Sequence, residues 1–237
     1  MNRFYLTQQP DKEIILIKDR SLVHQIRNVL KIRRGERVTF FSDQAEYAGH
    51  DFICELKNIE SSNAAVFMFR ERVENVREPT KKLVLYQSLI KKDKFEWVLE
   101  KATEVGVSEI VPVLSARSEK KSLNKERCLA ILKEAAEQSG RAVIPKFHDI
   151  VNFERALAAA EASGAKNYFA FGGEKENVIR GAGDRAMNLF ICPEGGWSDA
   201  EVFAAQRRPN FEIISLGRLS LRSETAAVAA SYTLLWG

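Results

Sequence analysis

The sequence predicts an α/β protein in which a small β-barrel precedes a larger domain with a mostly parallel sheet. Three observations predict it. Several short strand patterns fall in the first part of the chain, strand and helix patterns alternate beyond it, and two late strands end in glycine turns. Clustered short strands favour a barrel, whereas alternating strands and helices favour a parallel sheet covered by helices. We expect domains at 1–72 and 73–237.

The first domain consists mostly of strand patterns around one short helix, near Ser21–Leu30. The predicted strands are Phe4–Leu6, Ile14–Ile17, Arg37–Phe41, Glu46–Leu56 and Ala64–Phe69. The stretch Glu71–Lys82 is charged, contains Pro79 and shows no periodicity. These properties are typical of a linker.

Beyond this stretch, strands and helices alternate. The predicted strands are Leu83–Leu89, Glu109–Leu114, Asn167–Phe171, Asn188–Cys192 and Glu212–Leu216. The predicted helices are Lys92–Val105, Leu123–Ser139, Phe153–Ala162, Asp199–Arg207 and Ala226–Trp236. Ser198 and Glu201 have the spacing of a capping box before the fourth helix. The last helix carries no charge, so we expect it to be buried.

Composition favours a cytoplasmic protein without a metal. Hydrophobic residues make up 45% of the 237, enough for a real core. No apolar run reaches the length of a membrane span, and no signal-peptide core follows the first residues. Cys54, Cys128 and Cys192 are odd in number and far apart, which is typical of free thiols in a reducing compartment. The three histidines are equally scattered, so a metal site is not expected.

Basic residues concentrate between Lys18 and Arg37, although the net charge is only +4. Asp19 and Glu36 are the acidic residues there, against Lys18, Arg20, Arg27, Lys31, Arg33, Arg34 and Arg37. With His24, this excess resembles a surface that binds phosphate. A solvated helix face followed by a basic turn explains the charge equally well. A second basic set at 117–127 follows a predicted strand, and by itself it fits an exposed loop.

Glycine turns end three of the predicted strands. They are Pro193-Glu-Gly-Gly196, Leu216-Gly217 and Phe171-Gly-Gly-Glu174. Open parallel sheets bind ligands at the carboxyl ends of their strands, and glycine lets the backbone approach a ligand closely. Each turn taken alone also fits a tight strand-to-helix connection without a ligand. No Gly-x-Gly-x-x-Gly follows the first strand of this domain, and no Gly-Lys-Ser/Thr occurs, which disfavours a dinucleotide site and excludes a P-loop.

Several motifs, in order along nearly the whole chain, resemble the RsmE family of ribosomal RNA uridine N3-methyltransferases, which belongs to the knotted SPOUT class. They are Arg3–Leu6, His24 with Val29–Lys31, Lys101–Val107 leading to Pro112, Glu137–Arg141 leading to Pro145, Pro193–Ser198, Leu216-Gly217 and Leu221–Ala226. The chain departs from the family's usual residues at Lys31, Val105, Cys192, Leu219 and Ser220.

The resemblance implies methylation of N3 of one uridine in small-subunit (16S) ribosomal RNA, with S-adenosylmethionine as cofactor. It also implies a PUA-like barrel that binds RNA at 1–72, a SPOUT domain with a C-terminal trefoil knot at 73–237, and a homodimer. Three alternatives stay open. They are a SPOUT methyltransferase for another RNA site, a non-catalytic RNA-binding protein on this fold, and an α/β enzyme of small molecules.

The candidate site residues follow from the glycine turns, the basic segment and the resemblance. Candidate cofactor residues are Phe171, Gly172, Pro193, Glu194, Gly195, Gly196, Leu216, Gly217, Leu221, Thr225 and Ala226. Candidate RNA-binding residues are Arg3, Arg20, His24, Arg27, Lys31, Arg33, Arg34 and Arg141.

Arg222 and Glu224 form the candidate catalytic pair. Arg222 would stabilise negative charge on the uracil oxygens, and Glu224, or a water it orders, would accept the N3 proton. The residues alone also permit another interpretation, in which Ser223 or Thr225 caps the last helix and Glu224 complements its dipole.

Overall fold

The computed structural model describes residues 2–172, 177–181 and 183–237. They form two compact units, one of Met1–Glu78 with Ala136–Val143 and one of Pro79–Ala135 with Ile144–Gly237. The prediction of a mixed α/β protein with a parallel sheet is confirmed. The division at 72/73 stays a prediction.

The first unit contains a five-stranded, mostly antiparallel sheet. Its strands are β1 (Arg3–Tyr5), β2 (Ile14–Ile17), β3 (Arg37–Phe41), β4 (His50–Ser61) and β5 (Ala64–Glu74), in the order β1-β3-β4-β5-β2. Only β1 and β3 pair in parallel. Helix α1 (Arg20–His24) begins after Asp19, whose side chain accepts hydrogen bonds from two backbone N–H groups. A π-helical turn, Gln25–Val29, follows it.

Aromatic residues fill the core of this sheet. Phe4, Phe40, Phe52 and Phe67 are fully buried, and the rings of Phe40 and Phe67 meet edge to face at 5.0 Å. Each such ring removes a large apolar surface from water, so the alternating aromatic positions fix which side of the strands faces inward.

Several predicted boundaries in the first unit are wrong, among them the strand end expected at Leu56, which lies at Ser61. The strand expected from Glu46 begins at His50, because a turn occupies the residues before it. The strand expected to end at Phe69 continues to Glu74, into the stretch interpreted as a linker. The partners of the segment 71–74 are backbone groups at 50–53. A ladder of backbone hydrogen bonds needs no apolar side chains, so the charged sequence hides it.

The second unit contains a parallel sheet. Its strands are β6 (Lys82–Ser88), β7 (Glu109–Leu114), β8 (Lys146–Phe147), β9 (Val151–Asn152), β10 (Lys166–Ala170), β11 (Ala186–Ile191) and β12 (Phe211–Ile214). The order is β12-β10-β11-β6-β7-β8, and β9 also pairs with β7. All these pairs are parallel. The carboxyl ends of β10, β11 and β12 therefore lie side by side.

Helices connect the strands of the second unit. They are α2 (Lys92–Val105), α3 (Lys125–Ser139), α4 (Phe153–Ala162), α5 (Asp199–Gln206) and α6 (Ser223–Trp236). The cores on the two faces of the sheet are distinct, since neighbouring residues of β6 such as Leu85 and Tyr86 belong to different clusters. The predicted capping box between Ser198 and Glu201 is confirmed.

The prediction that the last helix is buried is confirmed for only part of its residues. Its Ala227, Ala230 and Leu234 are buried, but Tyr232 and Trp236 are exposed. The helix packs against α2, β6 and β11. The uncharged part of α6, from Thr225 onward, therefore keeps two large side chains exposed.

Candidate functional site

The loops after β10, β11 and β12 enclose one cavity of about 780 Å³. Ten of the predicted site residues line it: Phe171, Gly172, Pro193, Glu194, Gly196, Leu216, Gly217, Leu221, Arg222 and Ala226. Gly195, Glu224 and Thr225 do not line it. Gly173 and Glu174, which belong to the first predicted turn, lie outside the described residues. The cavity has the size of a small-molecule site.

The turn after β11 is held by contacts with the end of β10. Gly196 has a φ of 72°, a left-handed conformation that favours glycine. The Trp197 ring stacks on Phe169 at 4.7 Å, and its Nε1 donates to the carbonyl of Ala170 at 2.9 Å. The end of β10 therefore fixes the turn that ends β11.

Gly195 has a packing role instead of a place in the cavity lining. Its carbonyl accepts a hydrogen bond from the Arg117 guanidinium at 2.9 Å. A Cβ added to Gly195 would lie 3.2 Å from the Cβ of Arg117. The missing side chain at 195 thus admits Arg117, which comes from the basic loop after β7 and also lines the cavity.

The loop after β12 forms the exposed rim of the cavity. Gly217 has a φ of 107°, and its N–H donates to the Ser215 hydroxyl at 3.2 Å. Residues 218–222 are exposed, and Leu219 reaches 82% exposure. Added Cβ atoms at Gly172 and Gly217 would meet nothing within 4 Å. The glycines of two different loops therefore leave open space where a ligand can approach the backbone.

The hydroxyl of Ser223, a residue of the cavity lining, joins three elements. It donates to the carbonyl of Cys192 at 2.5 Å and accepts from Nε2 of Gln87 at 3.1 Å. The expectation that Ser223 or Thr225 caps the last helix is wrong, because the cap residue is Arg222, which makes no side-chain cap bond. The hydroxyl of Ser223 instead satisfies buried groups of β6 and of the β11 turn. Burial raises the pKa of the neighbouring Cys192 thiol.

The two candidate carboxylates share one lysine. Nζ of Lys94 lies 3.5 Å from Oε1 of Glu194 and 3.7 Å from Oε1 of Glu224. Lys94 stands in the first turn of α2 and lines the cavity. Sequence reasoning assigned it no role, because its position in a helix with several lysines carries no distinguishing signal.

Most candidate RNA-binding residues form an exposed basic segment on the first unit. Arg20, His24, Arg27, Lys31, Arg33 and Arg34 are all exposed. Lys31 has a φ of 51°, a left-handed conformation that is uncommon outside glycine. Val29 is also largely exposed, so an apolar side chain stands among the cations.

Arg3 and Arg141 are instead held in ion pairs within the first unit. Arg141 is 5% exposed and pairs with Glu78 at 2.9 Å. Arg3 pairs with Asp51 at 2.6 Å and donates to the carbonyl of Arg141 at 2.8 Å. Burial alone would raise the pKa of Asp51, but hydrogen bonds from Arg3 and Asn75 and the Arg3 charge keep it below its usual value. An RNA role for these arginines stays a prediction.

Residues 2–172, 177–181 and 183–237 contain neither a metal-binding side-chain cluster nor a membrane-spanning helix. No group of three or more His, Cys, Asp or Glu side chains among those residues is arranged to hold a metal ion. No helix in the described part of the chain is long and apolar enough to cross a membrane.

Similarity to known proteins identifies the class of protein to which this chain belongs. A family model described as an RNA methyltransferase domain matches residues 77–235, which carry the whole cavity. Ribosomal RNA small subunit methyltransferase E of Bacillus subtilis is 31% identical over 225 residues, covering 88% of this chain and 84% of the relative. The protein of that name from Mesomycoplasma hyopneumoniae is 34% identical over 190 residues, with 75% and 82% covered. The chain belongs to this ribosomal RNA small subunit methyltransferase E (RsmE) family.

Solved structures agree over nearly the full length. The Neisseria gonorrhoeae ribosomal RNA small subunit methyltransferase E, bound to S-adenosyl methionine, is 28% identical, with 98% of this chain and 95% of that chain covered and a TM-score of 0.85. A Legionella pneumophila structure in complex with the same cofactor is 25% identical, with 97% and 94% covered and a TM-score of 0.78.

We predict that Ser223→Ala destabilises the second unit by about 1–3 kcal/mol, because the carbonyl of Cys192 loses its donor and the Gln87 amide loses its acceptor. The free energy of unfolding in urea measures the effect. Thr225→Ala is the matched control, since Thr225 is exposed in the same helix turn. An equal, small effect of both substitutions would contradict the bridging role of the hydroxyl.

Proposed function

We propose that this chain transfers the methyl group of S-adenosylmethionine to small-subunit ribosomal RNA. The observation that carries the proposal is the cavity at the carboxyl ends of β10, β11 and β12, with Arg222 on its rim. Family membership supports the reaction, since relatives are named for it. The Neisseria gonorrhoeae relative, bound to S-adenosyl methionine, supports the cofactor.

The cavity fits this cofactor. Backbone at Gly172, Gly196 and Gly217 faces the space from three loops, and the open positions at two of these glycines leave room for a ligand. Apolar walls from Leu216 and Ala226 suit an adenosyl group, and the loop backbone offers hydrogen-bonding groups. When bound, S-adenosylmethionine supplies a methyl group on a positively charged sulfur.

The acceptor we propose, by family resemblance, is N3 of one uridine. Its proton must leave before the nitrogen can attack, and the negative charge then spreads onto the two flanking carbonyl oxygens. Arg222, exposed at the rim, stabilises that charge. Glu224, in the first turn of the last helix, accepts the proton directly or through a water. Holding the two reactants in line supplies much of the acceleration, up to roughly 7–11 kcal/mol in favourable cases.

We propose that the first unit holds the RNA, as a PUA-like barrel within 1–72. The mostly antiparallel sheet around an aromatic core supports the barrel, and the exposed basic segment supports the RNA contact. Cations there would contact phosphates, and exposed Val29 would meet a base or sugar. The SPOUT domain at 73–237 would do the chemistry.

We further propose a trefoil knot, a homodimer and a cytoplasmic location, as in the resembled family. The family resemblance alone supports the knot. The second unit has large exposed apolar side chains, among them Phe203, Tyr232 and Trp236. They support the homodimer, because a second copy of the chain would remove such side chains from water. Sedimentation equilibrium tests the dimer, and a monomer mass at micromolar concentration would contradict it.

The catalytic pair is tested by Arg222→Lys and Glu224→Gln. Lysine lacks the planar fork of arginine, and glutamine cannot accept the proton. We expect each single-turnover methylation rate to fall by about 10²-fold or more, with cofactor affinity little changed. Arg155→Lys, at an exposed position of helix α4, is the control.

A helix-dipole role for Glu224 gives a different result. Glu224→Gln would then lower the free energy of unfolding by about 0.3–1 kcal/mol and leave the rate intact. Near-normal rates in both variants would show that the chemistry lies on other residues.

The RNA contact is tested by the double substitution Arg33→Ala and Arg34→Ala. For each lost contact to single-stranded phosphate, the slope of log affinity against log salt should flatten by about 0.7. Lys12→Ala with Lys57→Ala removes the same charge elsewhere on the first unit, where both lysines are exposed. Equal slopes for the two double variants would show that the basic segment is an ordinary solvated surface that does not contact the RNA.

A further inference from the structure

Lys94 is the cation at the centre of a three-membered charge cluster beside the cavity. Its ammonium lies 3.5 Å from Oε1 of Glu194 and 3.7 Å from Oε1 of Glu224. The three groups come from three elements, namely α2, the β11 turn and α6. Their side chains are 26%, 29% and 13% exposed, respectively, so solvent screens the cluster less than it screens a surface ion pair.

The Glu194 arm of the cluster has a second anchor. Oε1 of Glu194 also accepts a hydrogen bond from the backbone N–H of Lys91 at 3.3 Å. Lys91 precedes α2 and has no side-chain cap of its own. The carboxylate of Glu194 therefore serves the start of α2, and it remains tied there when Lys94 is removed.

The Glu224 arm has no such second anchor. Its Oε2 is buried and makes no hydrogen bond among the described residues. Among those residues, the ammonium of Lys94 is the only cation paired with the carboxylate. A carboxylate oxygen that is buried without a hydrogen bond carries a desolvation cost. The Lys94 ammonium offsets that cost and restricts where the carboxylate points.

We propose that Lys94 is a positioning residue for methyl transfer, which acts on the reaction through Glu224. It ties Glu224 to the glycine turn that lines the cofactor cavity, so the carboxylate keeps a fixed place relative to the bound reactants. This inference rests on the proposed function and deepens it. A purely structural ion pair would change stability without a specific link to Glu224.

The test compares Lys94→Met with Lys94→Arg. Arginine keeps a cation that reaches both carboxylates, and methionine keeps length but not charge. We expect Lys94→Met to lower the single-turnover rate by about tenfold or more and Lys94→Arg to retain it within about threefold. The dissociation constant for S-adenosylmethionine, measured by calorimetry, should change by less than about threefold in both. Lys92→Met is the matched control, since Lys92 lies in the same helix turn and, among the described residues, pairs only with Glu96.

A double-mutant cycle with Glu224→Gln tests whether the effect of Lys94 on the rate depends on Glu224. If Lys94 acts through Glu224, adding Lys94→Met to Glu224→Gln should change the rate by less than about threefold. If the rate loss of the double variant equals the product of the two single losses, the proposal is overturned. A normal rate in Lys94→Met would also overturn it. Lys94→Gln repeats the test if the methionine variant unfolds. A wild-type chain that binds no S-adenosylmethionine or methylates no RNA would contradict the proposed function itself, whatever the lysine variants do.

Discussion

The parallel adjacency of β10, β11 and β12 is the constraint on which the candidate site depends. Parallel neighbours end at the same edge of a sheet, so three loops that are distant in sequence must meet there. Glycines in these loops keep the shared space open. The Trp197 ring and the Ser223 hydroxyl then fix the turns to one another. The strand order brings the three loops together to form the cavity, and the side chains then hold the loops in place.

The glycines at this edge of the sheet have different structural roles. Gly196 takes a left-handed turn, Gly217 opens the rim loop, and Gly195 makes room for Arg117. The charged residues divide in a similar way. Arg222 stands exposed at the rim, whereas Glu224 is enclosed and paired with Lys94. The carboxylate and the guanidinium thus have different environments, which suits groups that handle a proton and a developing charge separately.

Much of the secondary structure was predictable because its signals are local. Helices α2 and α4 match their predicted bounds to the residue, since Gly106 ends the first and Asn152 caps the second. Strands of two residues, β8 and β9, were not predicted, because so short a run has no periodicity. The charged end of β5 was missed because its partners are backbone groups of β4.

The site was predictable only where the chain itself carries the signal. Glycine turns at strand ends identified part of the cavity lining, including Gly172, Gly196 and Gly217. The links that support the turns join residues far apart in sequence, such as Gln87 with Ser223 and Lys94 with Glu224. No single-sequence pattern specifies such a pair, because it exists only after the strands have assembled in their order. The ion pairs of Arg3 and Arg141 were missed for the same reason.

The central claim is that the cavity and Arg222 together methylate small-subunit ribosomal RNA. Mass mapping of that RNA, from cells with and without this chain, tests the claim most directly. The account predicts that one N3-methyluridine disappears with the chain and returns with the wild type but not with Arg222→Lys. An unchanged methylation pattern in cells lacking the chain would contradict it.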